Sequence, residues 1–121
     1  MDIQISYQVI VGMLLVHWFA DFVLQTDWQA KNKSKNYLAL LAHVSTYSAV
    51  WAIAMMAGMG FEKGFQFTYL TFFAHGLTDF LTSKLNTYLY DKGKIHEFFV
   101  SVGFDQVLHF VQIFGTYLLL R

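Results

Sequence analysis

From Tyr37 to Phe61 the chain carries no lysine, arginine, aspartate or glutamate. A helix needs about 20 mostly apolar residues to cross a bilayer, and this run exceeds that length. Three further stretches are nearly as clean. Ile3–Leu24 is interrupted only by Asp21, Phe65–Tyr90 by Asp79 and Lys84, and Phe98–Leu120 by Asp105. Short polar links separate them: Gln25–Asn36, Glu62–Gly64 and Asp91–Glu97. The pattern predicts an all-α protein, an integral membrane four-helix bundle. It would form one transmembrane domain over residues 1–121, with helices near 3–24, 37–58, 65–90 and 97–120.

Composition points the same way. Only 13% of the residues are charged, against roughly a quarter in an ordinary soluble domain. Thirteen Phe, seven Tyr and three Trp are too many for one small water-soluble core. A soluble bundle is the alternative, and the mean hydropathy of +0.43 is modest for a membrane protein. None of these segments, however, has the fully polar face a soluble bundle needs. The chain has no proline, so unbroken helices are expected. It has no cysteine, which excludes disulfides, thiolate ligands and a cysteine nucleophile. Its net charge of zero argues against a nucleic-acid partner. The first stretch is expected to remain as a span, because Asp2 stands where a cleavable signal would be basic.

Basic residues set the orientation. Lys31, Lys33 and Lys35 lie in the first link and Lys92 and Lys94 in the third, while the second has only Lys63. Both basic links are therefore expected in the cytoplasm, with both termini on the same, outer side. The location this implies is a membrane crossed several times, with membrane lipids as the surrounding partners.

Three of the eight acids and four of the five histidines fall inside the spans. Ionisable groups at that depth are costly and mark function by default. His17 to Asp21 and His75 to Asp79 both read H-x-x-x-D, and Asp105 to His109 is the reverse. Residues four apart share a helix face and are stacked about 6 Å along the axis. The fourth span runs opposite to the first and third, so the reversed motif puts all three aspartates inward and all three histidines outward. His43 enters from the same side on the second span, with Tyr47 on its face. Imidazole and carboxylate without sulfur suit a divalent metal, Zn²⁺ first, with Mn²⁺, Fe²⁺ or Ni²⁺ as alternatives. The candidate ligands are His17, Asp21, His43, His75, Asp79, Asp105 and His109. Seven exceed one tetrahedral zinc, leaving room for two metals or for outer residues that orient the ligands. Hydrogen-bonded glue between helices, or a proton or ion relay, would use the same residues.

The segment His17-Trp-Phe-Ala-Asp21-Phe22-Val-Leu24-Gln25-Thr26-Asp27-Trp28, followed by Lys31 or Lys33, resembles the opening signature of the domain-of-unknown-function family 3307 of bacteria and phages. The resemblance continues through Leu41-Ala-His43-Val44, through His75 to Asp79-Phe80 and Lys84, and through Phe104-Asp105-Gln106-Val-Leu-His109. It implies a small polytopic protein of the bacterial inner membrane. More distantly, His75-Gly-Leu-Thr-Asp79 is similar to an element of bacterial membrane-bound metal-dependent hydrolases. Those proteins also carry an H-R-x-x-x-H segment, which this sequence lacks.

The expected function is a membrane-embedded divalent-metal site in the cytoplasmic half of the bundle. As a hydrolase it would act on a phosphate or ester of a lipid-borne or inner-leaflet substrate, with Asp21, Asp79 or Asp105 as general base. Lys84 and the Lys31–Lys35 cluster would help hold an anionic headgroup. Two other readings use the same track: a metal-ion or proton transporter or channel, which would need a homo-oligomer, and a membrane interaction protein with a purely structural polar core.

Overall fold

The computed structural model describes residues 3–121, so the reading of Asp2 lies outside the described residues. These are mostly helical and contain no strand. Helix α1 (Tyr7–Trp18) begins where the Ser6 hydroxyl accepts the Val9 N–H at 3.2 Å. That cap, rather than Ile3, sets its start. The helix then widens into a π-helical turn, Phe19–Val23, closed by the Leu24 N–H donating to the Phe19 carbonyl at 3.0 Å. The first apolar stretch is thus not the uniform helix expected from the lack of proline. The inserted residue turns Asp21 inward while Phe19, Phe22 and Val23 stay exposed, and such bulges recur at functional sites.

The first polar link is not a plain loop. It contains α2 (Asp27–Asn32), nucleated by a capping box in which Thr26 and Gln29 satisfy each other's backbone N–H. Helix α3 (Tyr37–Met59) starts at an Asn36 cap and stops at Gly60, whose φ of 89° favours glycine. Helix α4 (Phe61–Asp91) follows at once, so the stretch expected as a second link, Glu62–Gly64, is helical. One glycine makes the whole reversal. Gly64 completes it, because a Cβ there would lie 2.5 Å from the Met56 backbone. After Gly93 (φ 72°) comes α5 (Ile95–Leu120), two residues earlier than expected.

Helix α3 packs along α4 and α4 along α5, while α1, its π turn and α2 lie against α3. Two helices, α3 and α5, are long and apolar enough to cross a membrane, with mean hydropathies of 1.5 and 1.3. Arg121 donates to the carbonyl of Gln4, joining the two ends of the described chain. At the Gly60 end, Trp51, Phe67 and Ile113 are fully buried among Met13 and Met55. Elsewhere the pattern of a water-soluble domain is inverted. Among the described residues, eleven polar or charged side chains are buried against nine hydrophobic ones, while Ile53, Leu77, Val111 and Leu119 are more than three-fifths exposed.

Candidate metal centre

Four elements deliver carboxylates and imidazoles to one place. Asp21 comes from the π turn, His43 from the second turn of α3, His75 and Asp79 from one face of α4, and Asp105 and His109 from one face of α5. All six are buried. The Nε2 of His43 lies 3.0 Å from Asp21 Oδ1 and 3.1 Å from Asp79 Oδ2. The Nε2 of His75 lies 3.3 Å from Asp79 Oδ2 and 3.5 Å from Asp21 Oδ1. The two Nε2 atoms are themselves 3.3 Å apart. His109 bridges Asp79 and Asp105, 3.1 Å from Asp79 Oδ1 and 3.2 Å from Asp105 Oδ1.

One potential ligand atom from each of Asp21, His43, His75 and Asp79 lies within 4.8 Å of the others, and the same holds for Asp21, Asp105 and His109. Asp21 is common to both groups. Either group can hold a metal ion. His43, His75 and His109 all leave Nδ1 buried without a hydrogen-bond partner, so their polar capacity is committed to the centre of the cluster. Three carboxylates face one ammonium, that of Lys33 at 3.1 Å from Asp79 Oδ2. With neutral imidazoles this leaves two uncompensated negative charges, and burying them unpaired is expensive. A divalent cation balances them, and the oxygen and nitrogen donor set suits one.

His17 stands apart from both groups. It is 3.5 Å from Asp21 Oδ2, but both its ring nitrogens are occupied. The Gln106 amide N–H donates to Asp105 Oδ2 at 3.0 Å, which turns Gln106 Oε1 toward His17 Nε2 at 2.8 Å. The Nε2–H therefore donates to Gln106, and Nδ1 accepts the Tyr47 hydroxyl at 2.8 Å. The result is a directed chain from Tyr47 through His17 and Gln106 to Asp105. Tyr47 also stacks on the His75 ring, 3.6 Å between centroids and 13° from parallel, which fixes that imidazole's plane.

Lys33 is the participant that sequence reasoning missed, because it reads as one of three interfacial lysines. Its N–H caps α2 on the Gln29 carbonyl, and Gln29 is held by the capping box, so α2 aims the side chain into the cluster. Its link to the opening motif was the available signal. Lys84 does the opposite: it donates to the Ser34 carbonyl at 2.8 Å and lies over Phe80, tying α4 to the first link. A cavity of about 530 Å³ leads from Lys31, Lys33 and Lys35 down to Asp21 and Asp105. Tyr90, Asp91 and Phe98 line it too, so the first and last links share one end of the molecule.

The family model described as "Protein of unknown function (DUF3307)" matches residues 9–120. The chain belongs to this family. The match takes in every His and Asp of the cluster, together with Lys33 and Gln106, in agreement with the resemblance read from the motifs. No curated protein and no solved structure matches the chain. The more distant similarity to metal-dependent hydrolases gains no support from these comparisons.

Proposed function

We propose that this protein is a membrane-embedded divalent-metal protein whose centre hydrolyses an inner-leaflet substrate. The observation that carries the reading is the convergence of Asp21, His43, His75 and Asp79 within 4.8 Å, all four buried. The four long helical segments would all cross the bacterial inner membrane. The inverted burial pattern supports this, since apolar side chains cover the outside and polar ones fill the interior. The Gln4–Arg121 contact supports both termini on one face, and the shared lysine-lined cavity supports both basic links on the other, in the cytoplasm.

Asp21, His43, His75 and Asp79 would hold one ion, Zn²⁺ suiting the set best and Mn²⁺, Fe²⁺ or Ni²⁺ also fitting. Asp105 and His109, with Asp21, would hold a second or serve the first from outside it. When bound, the metal would polarise the substrate oxygen and acidify a water. Asp105 lies on the cavity wall with its Oδ1 accepting the Thr82 hydroxyl at 2.6 Å, which places it best to take up a proton. His17 would position Asp105 through Gln106 rather than bind metal. A transport path is disfavoured by the Gly60 end, where Trp51, Phe67 and Ile113 are 0% exposed and close the polar interior.

Metal analysis of protein purified without chelator or affinity-tag metal tests the reading. At least one transition metal per chain is expected, with stabilisation of about 2.7 kcal/mol at a hundredfold excess over Kd, lost on adding EDTA. A metal-free protein indifferent to EDTA would leave the polar core as structural glue.

A further inference from the structure

The cavity that ends at the cluster is more than an access route. Its floor is formed by Asp21 and Asp105, its rim by Lys31, Lys33 and Lys35, and one wall by the apolar side chains of Phe22, Phe98 and Val102. Ser83 belongs to the same cavity. It is 5% exposed, it lines the cavity, and its hydroxyl has no hydrogen-bond partner. A buried hydroxyl left unpaired costs on the order of 1–3 kcal/mol, so an unused donor here points to something that accepts from it.

We propose that this cavity binds a phosphate group, held by Lys33 and the Ser83 hydroxyl, with Lys31 and Lys35 drawing it in from the rim. The proposal rests on the metal centre described above. Two carboxylates on the floor repel an anion until a cation neutralises them, so phosphate binding is conditional on metal. The same cation would draw Asp79 away from Lys33, because Asp79 Oδ2, the lysine's present partner at 3.1 Å, also faces His43 and His75 within the metal-holding group. The freed ammonium, 18% exposed, then turns toward the cavity. A divalent ion and up to three ammonium groups suit a dianion better than a singly charged carboxylate, and a tetrahedral oxyanion has enough acceptors for donors on several sides. The apolar wall suits a phosphate attached to a hydrocarbon, as in a lipid with a phosphomonoester headgroup, although free phosphate has the same polar chemistry.

The test uses the full chain in phosphatidylcholine nanodiscs, with its metal content measured first. Equilibrium dialysis with radiolabelled inorganic phosphate, with and without the bound metal, reads the soluble source. Retention of phosphatidic acid, offered in vesicles with phosphatidylcholine, reads the lipid source. Metal-dependent binding of either ligand is expected, and phosphatidic acid alone would identify the ligand as a headgroup. Ser83→Ala, which removes only the hydroxyl, should weaken binding about tenfold, and Lys33→Gln more, with partial recovery in Lys33→Arg. Metal content should survive in Ser83→Ala, separating loss of the ligand from loss of the centre. Metal bound with neither ligand retained would overturn this proposal and leave the metal reading standing, whereas no metal and no ligand would overturn both. Equal phosphate binding with and without metal, or in Ser83→Ala and wild type, would also overturn it.

Discussion

The two ends of the molecule are built on opposite principles. At the lysine end, four elements meet through charged and hydrogen-bonded side chains, and a cavity of about 530 Å³ is left open beside them. At the Gly60 end, α3 and α4 meet through Trp51 and Phe67, 5.2 Å between ring centroids, and through a glycine that admits the neighbouring backbone. Tyr47 lies at the junction, stacking on His75 below and belonging to the apolar cluster with Trp51 above. The difference teaches that stability and chemistry are separated along the helices. At the Gly60 end the contacts are apolar, and the cavity beside Trp51, Met55 and Met59 is smaller, about 270 Å³. The lysine end gathers three carboxylates, four histidines and one lysine beside an open cavity.

The largest effects should come from single truncations at each end. Asp79→Ala removes the carboxylate contacted by His43, His75, His109 and Lys33, and the lost ion-pair partner should cost about 3–5 kcal/mol. Trp51→Ala should cost about as much, 3–5 kcal/mol, through the cavity it leaves. The two should part in a second measurement: metal per folded chain should vanish in Asp79→Ala and persist in Trp51→Ala. If both lose metal equally, the ends are one cooperative unit and the comparison fails.

A smaller effect is expected at the glycines. Gly64→Ala drives a methyl against the Met56 backbone and should cost about 1–3 kcal/mol. Gly58→Ala meets nothing within 4 Å and should fall within about 0.5 kcal/mol of wild type. Thermal unfolding in detergent checks both, and equal melting temperatures would contradict the close helix approach.

The smallest expected change is the most specific. Thr26→Ala removes one half of the α2 capping box, worth about 1 kcal/mol. Its main consequence should be local, since α2 aims Lys33. Faster hydrogen exchange over Asp27–Lys33, with the Gly60 end unchanged, is the expected signature; uniform exchange along the chain would show that α2 is not an independent arm.

Much of this was legible in the sequence, for reasons the residues make plain. Four-residue spacing puts His75 beside Asp79 and Asp105 beside His109 on any helix, whatever the tertiary packing, and the structure keeps those pairs at 3.3 and 3.2 Å. The reversed order in α5 announced an antiparallel partner. The π turn at Phe19–Val23 was not legible, because no proline or glycine marks it in the sequence. The reach of Lys33 was hidden too, since it depends on a six-residue helix that composition alone reads as linker.

The sequence by itself determined which faces are polar and which residues share them, because helical periodicity is a local property of the backbone. It also determined the apolar exterior, because hydropathy is a property of composition. Only the tertiary structure decided which of those faces meet. The shortest contact of Asp21 to an imidazole is with His43 at 3.0 Å, on another helix, rather than with His17 at 3.5 Å, on its own. Pairing across helices depends on how ridges, turns and caps bring distant segments together, and no spacing within one helix encodes it. The same packing singled out Lys33 from three similar lysines, bringing its ammonium to 3.1 Å from Asp79.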